Sequence, residues 1–474
     1  MSLGPYPLLD ILAVARVHPF YSQEQYPPTS EDLDRVISKS KQEASNTLEL
    51  KSIPLLRKQA LSQSVARLIV DKNPRNGYGQ QSYLTSTGGG SGGAPMIFAM
   101  DTWESRHQRG ATGTLIRNCG LLGPGDWVLT VHVSGHLYRV LEFVTEIMEK
   151  AGAAVLCAGP EMPYQEVIST MIFYQVNVLA GDAAQLVQVT RFISLLPKEQ
   201  QQLLKINKVF YTSDMLTPAQ RSFLRAVLGD ITICSLMASS EVGGWGVASS
   251  ELIGLADESY VEFIYDPRMT ILEVVPMSME EPDERGLCRS ECTENLPDGE
   301  VGLLAVTNLH RLRNPLVRYL CGDVASLHPL PPGIRTRLPA ADEDAQHYRM
   351  VRIYGRDRRI SFTWYGEYFH FNVVQKQMHS VEWGVLQWQI LLGSKEEADN
   401  PDDMMEIRIM RSPEEHVGLN GLLSLQELTA KIEKLFKVFE FNKELFQLTY
   451  VANLDGFERS NTGRKVVNFV DWRT

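Results

Sequence analysis

The segment "TSTGGGSGGAP", at residues 85–95, is the part of the sequence whose residue types and spacing most clearly suggest chemistry. Glycine tolerates positive φ values, so successive backbone N–H groups in such a segment can converge on an anion. The threonine and serine hydroxyls beside the glycines add uncharged donors. The segment therefore predicts a site for a triphosphate. The residues assigned to it are Thr87, Gly88, Gly89, Gly90, Ser91, Gly92 and Gly93.

Other interpretations of this glycine-rich segment remain open. A Gly/Ser tract is often a flexible linker, although apolar sequence flanks this one closely on both sides. Gly88, Gly90 and Gly93 satisfy the dinucleotide-binding pattern G-x-G-x-x-G, but no clear Val/Ile-rich strand precedes them and Pro95 suits a helix start poorly. A Walker loop is excluded, because no G-K-[ST] follows the glycines.

The elements that must position such a site alternate along the chain. A helix is predicted in "SEDLDRVISKSKQEA" near the start of the chain. Short β-rich runs then alternate with segments of helical periodicity, which predicts a parallel sheet covered by helices. The predicted strands are "DWVLTVHV", "AAVLCAG", "NVLAG", "KVFYTS" and "DITICSL". The predicted helices lie in "RVLEFVTEIMEKAG", "YQEVISTMIFYQ", "AAQLVQVTRFISLL" and "PAQRSFLRAVLG".

From about residue 259 the pattern changes to successive β-rich runs, and a compact tail follows Arg356. The tail is predicted to contain the strands "GVLQWQILLG", "MMEIRIMRS" and "LFQLTYVANL" and the helix "SLQELTAKIEKLFKVFE". The chain is therefore predicted to be an α/β protein of two domains. A large multi-sheet N-terminal domain would span residues 1–356, and a small mobile α+β C-terminal domain would span residues 357–474.

Composition narrows the classes of function. The chain has 474 residues, 44% of them hydrophobic, and a formal net charge of -11, which disfavours nucleic acid as a partner. No apolar run reaches the roughly 18 residues of a membrane span, and the N-terminal residues lack a basic region like that of a secretory signal. Of the six cysteines only Cys288 and Cys292 are close together, which disfavours zinc and favours free thiols. We expect a cytoplasmic protein that has no membrane or nucleic-acid partner.

Four further motifs follow the glycine-rich segment in a fixed order: "SLMASSEVGGWG", "PLVRYLCGDVASL", "VRIYGRDRRISF" and "RSNTGRKVVNFVDWR". With this order and spacing, the chain resembles the ANL superfamily of adenylate-forming enzymes, and most closely its phenylacetate-CoA ligase branch. The resemblance runs from about residue 80 to the C-terminus. It implies that the protein uses ATP to activate a carboxylic acid as its acyl-AMP and releases pyrophosphate.

The resemblance assigns the glycine-rich segment and the motif "SLMASSEVGGWG" to ATP and Mg²⁺. The family's phosphate loop is T/S-S-G-T-T-G-K-P. Its Thr-Thr pair is replaced here by Ser91 and Gly92 and its lysine by Ala94, so Ser91 is the best remaining hydroxyl for the β- and γ-phosphates. "SLMASSEVGGWG" is similar to Y-G-x-[ST]-E, which makes Glu241 the Mg²⁺ ligand and Ser240 the hydroxyl beside it. The family's Tyr-Gly pair is replaced by Met237 and Ala238, which changes the surface beside the adenine and substrate. Alternatively, Glu241 only follows a strand in a glycine-rich turn.

The next two motifs imply contacts with the nucleotide. "PLVRYLCGD" resembles P-L-x-R-Y-x-T-G-D, which implies that Asp323 binds the ribose hydroxyls and that Arg318 lies near the phosphates or supports the loop. Arg356 corresponds to a ribose or phosphate ligand in the G-R-x-D-D hinge. The hinge aspartate is replaced by Arg358, or corresponds to Asp357 if the register shifts by one. Ordinary ion pairs in β-turns are the alternative for both motifs.

The C-terminal motif resembles R-S-x-G-K-x-x-R-V-x-D-x-R and implies a catalytic lysine at Lys465. The register counted forward from Gly463 places Arg464 there instead, but the match downstream of Lys465 is longer. An ammonium group suits the negative charge that develops on the carboxylate and α-phosphate. The alternative is a solvated pair of basic residues at the surface.

The segment "VHVSGHLYR" resembles the wall of the acyl site, so His132, His136 and Tyr138 are candidate substrate-binding residues, although histidines in such a segment are often structural. The branch implies an aromatic or arylacetic acid, coenzyme A as the default acceptor, and an amine or a carrier-protein thiol as alternatives. Relatives in the branch are often homodimers. A rival hypothesis is a binding protein that keeps the fold without the chemistry. An oxidoreductase would need an acidic ribose ligand where Ser134 and Gly135 stand.

Overall fold

A computed structural model describes residues 4–43, 49–87, 96–253, 260–277, 287–288, 294–356, 361–394, 403–413 and 421–473. The helices in these residues are α1 Leu8–Val17, α2 Ser30–Glu43, α3 Lys58–Val70, α4 Thr102–Asn118, α5 Val140–Ala151, α6 Tyr164–Phe173, α7 Ala183–Ser194, α8 Lys198–Gln201, α9 Pro218–Leu228, α10 Pro332–Arg335, α11 Asp342–Ala345, α12 Phe371–Met378 and α13 Leu425–Leu435. The strands are β1 Leu55–Arg57, β2 Tyr83–Ser86, β3 Ile97–Met100, β4 Trp127–Thr130, β5 Ala154–Cys157, β6 Val178–Asp182, β7 Lys208–Thr212, β8 Thr232–Ser239, β9 Gly243–Ser249, β10 Val261–Tyr265, β11 Thr270–Val275, β12 Leu287–Cys288, β13 Gly302–Asn308, β14 Tyr319–Pro329, β15 Arg349–Arg356, β16 Ser361–Trp364, β17 Glu367–His370, β18 Val385–Ser394, β19 Asp403–Arg411, β20 Phe446–Tyr450 and β21 Phe469–Asp471.

One large mixed sheet organises the N-terminal part of the chain. Its main strand order is β11-β13-β14-β15-β10-β9-β8-β7-β6-β4-β5, and β1 and β12 pair off this path. Strands β4 to β8 run parallel, as the alternation of strands and helices predicts, because a helix returns the chain to the same edge after each strand. Along the path β8-β9-β10-β15-β14-β13-β11 every pairing is antiparallel, and most of these strands follow the change of pattern near residue 259.

The glycine-rich segment lies between two strands that the sequence analysis did not identify. Strands β2 and β3 pair antiparallel, with Ser86 opposite Ile97. Strand β2 does precede the glycines, but it contains no Val or Ile, and an antiparallel hairpin differs from the strand–turn–helix unit of a dinucleotide site. Helix α4 was missed as well. It begins at Asp101, whose carboxylate caps the backbone N–H groups of Trp103 and Glu104.

The C-terminal part of the chain has its own sheet, with the strand order β20-β19-β18-β21, and a separate hairpin of β16 and β17. Helix α13 packs Leu428 and Ile432 into the core beside this sheet. The helix ends at Leu435, earlier than the predicted segment at residues 424–440. Lys437 adopts a left-handed φ of 53°, and the N–H of Val438 donates to the carbonyl of Glu433, which closes the helix end.

The apolar cores follow the same division. The C-terminal sheet and helices share a core made only of residues from Phe362 onward. A small apolar cluster joins the two parts, in which Val187 and Phe223 meet Leu386, Met410 and Phe457. The predicted fold class, an α/β protein with a large N-terminal part and a small α+β C-terminal part, is therefore confirmed.

Among the residues that the structure describes, no helix is both long enough and apolar enough to cross a membrane.

Candidate active site

Glu241 follows β8 at the centre of the large sheet, in the turn that leads into β9. It is only 4% exposed, and the phenol of Tyr319 donates to its Oε1 over 3.3 Å. The ammonium group of Lys58 lies 3.4 Å from the same oxygen. The structure thus places a buried carboxylate at the end of a central strand, with one cation beside it.

Asp323 and Arg356 are cross-strand partners on β14 and β15. The Nε atom of Arg356 lies 3.2 Å from Oδ1 of Asp323, and its Nη1 donates to the carbonyl of Cys321 over 2.6 Å. Burial raises the pKa of the Asp323 carboxyl, and the charge of Arg356 acts in the opposite direction. The result is a fixed carboxylate whose orientation is set by the neighbouring strand.

These side chains share one open cavity of about 360 Å³. Its wall includes Glu241, Asp323, Arg356, Met237, Ala238 and Lys58. Five of these six residues were predicted from the sequence as ligands of the nucleotide or substrate. We call this space the Asp323 cavity.

A second cavity of about 590 Å³ lies beside it, and Ala238 and Ser239 belong to the walls of both. Tyr138, a predicted substrate-binding residue, lines this second space together with Tyr83 and Phe143. We call it the Tyr138 cavity. It offers aromatic surface directly next to the Asp323 cavity.

The chain before the glycine-rich segment is held from two sides. Ser240 donates its hydroxyl to the carbonyl of Ser86 over 2.9 Å, which ties the turn after β8 to β2. Thr87 accepts from the N–H of Met96, and Thr462 of the C-terminal part donates to the carbonyl of Thr87 over 2.8 Å. The predicted phosphate ligands at residues 88–93 lie outside the described residues, so their contacts stay a prediction.

Lys465 is half-buried near several charged groups of the N-terminal part. Burial alone would lower the pKa of its ammonium group, but Asp214, Tyr138 and Asp182 outweigh this effect and raise that pKa. Arg356 also acts on Lys465 electrostatically. The predicted lysine is therefore in the electrostatic reach of both cavities.

Arg464, the residue for the alternative register, has different neighbours. Its guanidinium lies 2.8 Å from Glu161 and 3.0 Å from Nε2 of His136. His136, which was predicted to contact the substrate, is exposed. The pair thus forms a contact between the two parts of the chain at the protein surface.

Two predicted residues lie away from these cavities. Arg318 is fully buried, where its Nε is 3.1 Å from Glu273 and its Nη1 donates to the carbonyl of Ile53. His132 is also fully buried, with Thr130 and Thr212 on its two ring nitrogens, and burial lowers its pKa to about 3. Arg318 therefore anchors β14, and His132 is a neutral residue behind the wall of the Tyr138 cavity.

The two cavities also contain residues that were not predicted from the sequence. Lys58 begins α3, far from every motif, and no sequence signal connects it to Glu241. Tyr319 stands inside the "RYLCGD" motif and was passed over, although its phenol contacts Glu241. Arg311 lies between two motifs and lines the Tyr138 cavity.

The chain was also compared with known proteins. The sequence matches no protein-family model and no curated protein. The structure is similar to that of 2-hydroxyisobutyryl-CoA ligase in the postadenylation state in complex with R3-HIB-AMP, with a TM-score of 0.61 and 15% identity over 98% of this chain and 87% of that chain. An open conformation of the same ligase in complex with 2-HIB-AMP and CoA gives a TM-score of 0.50 and 15% identity over 97% of this chain and 89% of that chain. At 15% identity this similarity shows a shared fold, which is the fold that the predicted resemblance implies.

The residues also fit Mg²⁺ in one specific way. Within the described residues, no group of three His, Cys, Asp or Glu side chains could hold a metal ion by itself. Glu241 is a buried carboxylate on the wall of an open cavity. Mg²⁺ is commonly held by one or two carboxylates together with substrate phosphates. Glu241 suits that arrangement, in which the nucleotide supplies the remaining oxygens.

Proposed function

We propose that this protein is an adenylating enzyme that converts a carboxylic acid and ATP into an acyl-AMP and pyrophosphate. The observation that carries the proposal is that Glu241, Asp323 and Arg356 line one cavity, which adjoins a second cavity lined by Tyr138. Four motifs that are far apart in the sequence supply Glu241, Asp323, Arg356 and Lys465, and a further segment supplies Tyr138. The arrangement offers a place for a nucleotide and an adjacent place for an acid.

The reaction is an in-line displacement. An oxygen of the substrate carboxylate attacks the α-phosphorus, the bond to the pyrophosphate oxygen breaks, and pyrophosphate leaves with that electron pair. The protein has little covalent work to do, so positioning and charge neutralisation supply most of the rate enhancement.

Each predicted residue has one task in this step. Asp323 accepts hydrogen bonds from the ribose hydroxyls, and Arg356 holds the Asp323 carboxylate and lies beside the nucleotide. Thr87 and residues 88–93, including Ser91, bind the phosphates, and Ser240 holds their strand in place. Glu241 would hold Mg²⁺, whose charge would offset that of the phosphates. Lys465 stabilises the charge that develops on the reacting oxygens.

A second step would pass the acyl group to an acceptor. The phenylacetate-CoA ligase resemblance favours coenzyme A as the acceptor and an aromatic acid as the substrate. The structural relatives named above were solved with acyl-AMP and with CoA. In this proposal the C-terminal domain, residues 357–474, moves between the two steps and withdraws Lys465.

A pyrophosphate-release assay over a panel of carboxylic acids, with and without coenzyme A, tests the proposal. We expect pyrophosphate with at least one acid, and a thioester when coenzyme A is present. Adenylate that accumulates in the presence of coenzyme A would instead indicate an amine or a carrier-protein acceptor. Absence of pyrophosphate with every acid, despite ATP binding, would favour a binding protein that keeps only the fold.

A further inference from the structure

Arg311 is a buried cation on the wall of the Tyr138 cavity. It is only 2% exposed, and its guanidinium lies 5.0 Å from the ring centre of Phe98. One nitrogen, Nη1, donates to the main-chain carbonyl of Glu241. The other two, Nε and Nη2, have no hydrogen-bond partner among the residues that the structure describes.

Within the described residues, the other guanidinium group that lines this cavity, that of Arg139, is neutralised. It lies 2.8 Å from Glu142 and stacks on the ring of Tyr83 at 4.3 Å. Arg109 does not line the cavity, but it stacks on the same ring at 4.7 Å and lies 2.8 Å from Glu142 and 2.5 Å from Glu146. Their charges are therefore balanced before any ligand enters.

Arg311 has no such balance. It forms no ion pair within the described part of the chain. Glu104 and Glu241 act on it only at longer range. Burial lowers the pKa of Arg311 to about 10, so it is still a cation at neutral pH. An unpaired buried charge is costly, and a ligand anion would remove that cost.

The free nitrogens also have a useful geometry. Nε and Nη2 form one edge of the planar guanidinium, and this edge matches the two oxygens of a carboxylate. The apolar and aromatic side chains of Tyr83, Phe143 and Val140 line the same cavity and would enclose the body of the acid. Nε and Nη2 are almost inaccessible to solvent in this structure, so a small shift of the neighbouring side chains must open this edge to the cavity before an anion can bind there.

We propose that the substrate is a dicarboxylic acid whose second, non-reacting carboxylate is bound by Nε and Nη2 of Arg311. This inference rests on the proposed adenylation. It makes Arg311 a specificity-determining residue, because an acid without the second carboxylate would leave the guanidinium buried and unpaired. The reacting carboxylate remains at the junction of the two cavities.

The test compares matched acids on three proteins. Pyrophosphate release is measured with aromatic and aliphatic dicarboxylic acids, and with the half-amide of each, on the wild type, Arg311→Met and Arg311→Lys. We expect the wild type to prefer the dicarboxylic acids. Arg311→Met should lower kcat/KM for the diacid roughly 10- to 100-fold, the range for a charge-assisted hydrogen bond, and should affect the half-amide much less. Arg311→Lys should restore part of the preference for the diacid over the half-amide, because lysine restores the positive charge but not the paired nitrogens of the guanidinium.

Arg139→Met is the matched control, because its charge at the same cavity is already paired. It should change kcat/KM for the diacid and the half-amide by similar factors. Thermal unfolding and the KM for ATP establish that each variant is folded and binds nucleotide. Equal losses for both acids in Arg311→Met, or a raised KM for ATP alone, would overturn the proposal and assign Arg311 to the reacting carboxylate or to the nucleotide.

The two proposals fail in different ways. If the wild type adenylates monocarboxylic acids as well as diacids, the adenylation stands and the Arg311 inference is wrong. If no acid releases pyrophosphate, calorimetry with the diacids and their half-amides still measures the Arg311 contact directly. Tighter binding of a diacid that is lost in Arg311→Met would support the contact, and equal binding would refute it.

Discussion

At the residue scale, the Asp323 carboxyl is subject to two opposed effects. Burial raises its pKa, whereas Arg356, 3.2 Å away, favours the ionised form. Because the net pKa is raised, the carboxylate loses its negative charge at a higher pH than an exposed aspartate does. A protonated carboxyl is a weaker acceptor for ribose hydroxyls than a carboxylate is.

We expect Asp323→Ala to weaken the binding of a non-hydrolysable ATP analogue by roughly 1–3 kcal/mol, the range for losing a hydrogen-bonded charged group. The binding of the analogue to the wild type should also weaken as the pH falls and the carboxyl is protonated. Calorimetry with Mg²⁺ at several pH values measures both effects. Unchanged affinity of the variant would show that Asp323 does not bind the ribose.

Lys465→Ala should abolish adenylation and leave ATP binding nearly intact. Lys465 would contact atoms whose charge changes during the displacement, so its effect appears mainly in the transition state. The expected loss is roughly 10²–10³ in kcat, or about 2.7–4 kcal/mol. Pyrophosphate release at saturating ATP and acid measures it.

Arg464→Ala is the matched control for the lysine, because Arg464 contacts Glu161 and His136 at the surface. Its effect on pyrophosphate release should be much smaller than that of Lys465→Ala. The reverse order of effects would mean that the lysine assignment is off by one residue. If the wild type is active and neither Lys465→Ala nor Arg464→Ala changes its pyrophosphate release, the C-terminal resemblance is misleading.

Glu104 predicts a pH dependence of stability. Burial raises its pKa from 4.5 to about 7, and Asp101 adds to this, whereas hydrogen bonds from the N–H groups of Leu312 and Arg313 and from Tyr6 oppose it. Because the folded state keeps the proton that the unfolded chain loses, this contribution to stability is present below pH 4.5 and is lost as the pH rises to about 7.

Replacing Glu104 by the neutral glutamine should remove this dependence. Urea unfolding between pH 5 and 7 should show that the slope of stability against pH differs from the wild type by up to about 1.4 kcal/mol per pH unit. The free energy of unfolding of Glu104→Gln should rise relative to that of the wild type as the pH rises. Parallel pH profiles for the two proteins would contradict the raised pKa.

At the element scale, the Tyr138 cavity depends on how closely α4 and α5 pack. A Cβ atom at Gly113 of α4 would lie 2.5 Å from Cβ of Lys150 and 2.7 Å from the carbonyl oxygen of Ile147 on α5. The two helices carry Gln108 and Phe143, which line the cavity. The glycine therefore sets the distance between two walls of the predicted acyl site.

Gly113→Ala should destabilise the protein by roughly 1–3 kcal/mol, because overpacking forces the helices apart. Gly110→Ala in the same helix is the matched control, since nothing lies within 4 Å of its added Cβ. The control should stabilise the protein by about 0.5–1 kcal/mol through helix propensity. Urea unfolding compares the two variants, and equal effects would refute the close packing at Gly113.

At the scale of the whole molecule, the apolar core of the C-terminal part is separate from the several apolar clusters of the N-terminal part, and a cluster that includes Phe457 and Phe223 joins the two parts. Further contacts cross the same boundary, such as the hydrogen bond of 2.6 Å from Gln220 to the carbonyl of Leu386. In the proposed reaction these contacts would form when the C-terminal domain docks for one step and would break when it moves for the next.

Limited proteolysis should therefore cut the chain near residue 357, and a second cut is expected in "SKEEADNPDD". Residues 357–360 and most of that acidic segment lie outside the described residues. We expect a stable fragment close to residues 1–356, identified by mass spectrometry. Resistance at both places, or cuts only within the large sheet, would contradict a division at residue 357.

The sequence by itself determined the features that depend on residues close to one another along the chain. Strands β4 to β8 and the helices between them follow from local periodicity, because the spacing of apolar residues sets which face of an element is buried. The order of the motifs predicted that Glu241, Asp323 and Arg356 would share a site, and these residues line one cavity. Helix α4 escaped notice because most of its buried positions are polar, among them Gln108, Arg109 and Thr112, so its sequence shows little apolar periodicity.

Only the tertiary structure decided which distant groups meet. Arg318 belongs to a well-matched motif, yet it pairs with Glu273 on β11, because the sheet places that strand two positions from β14. Lys58 reaches Glu241 although the two residues are far apart in the sequence. In the described part of the chain, Nε and Nη2 of Arg311 have no hydrogen-bond partner, because the strands and helices packed around the guanidinium bring no acceptor to that edge. Ion pairing and burial depend on strand order and packing, and no local pattern in a single sequence records these properties.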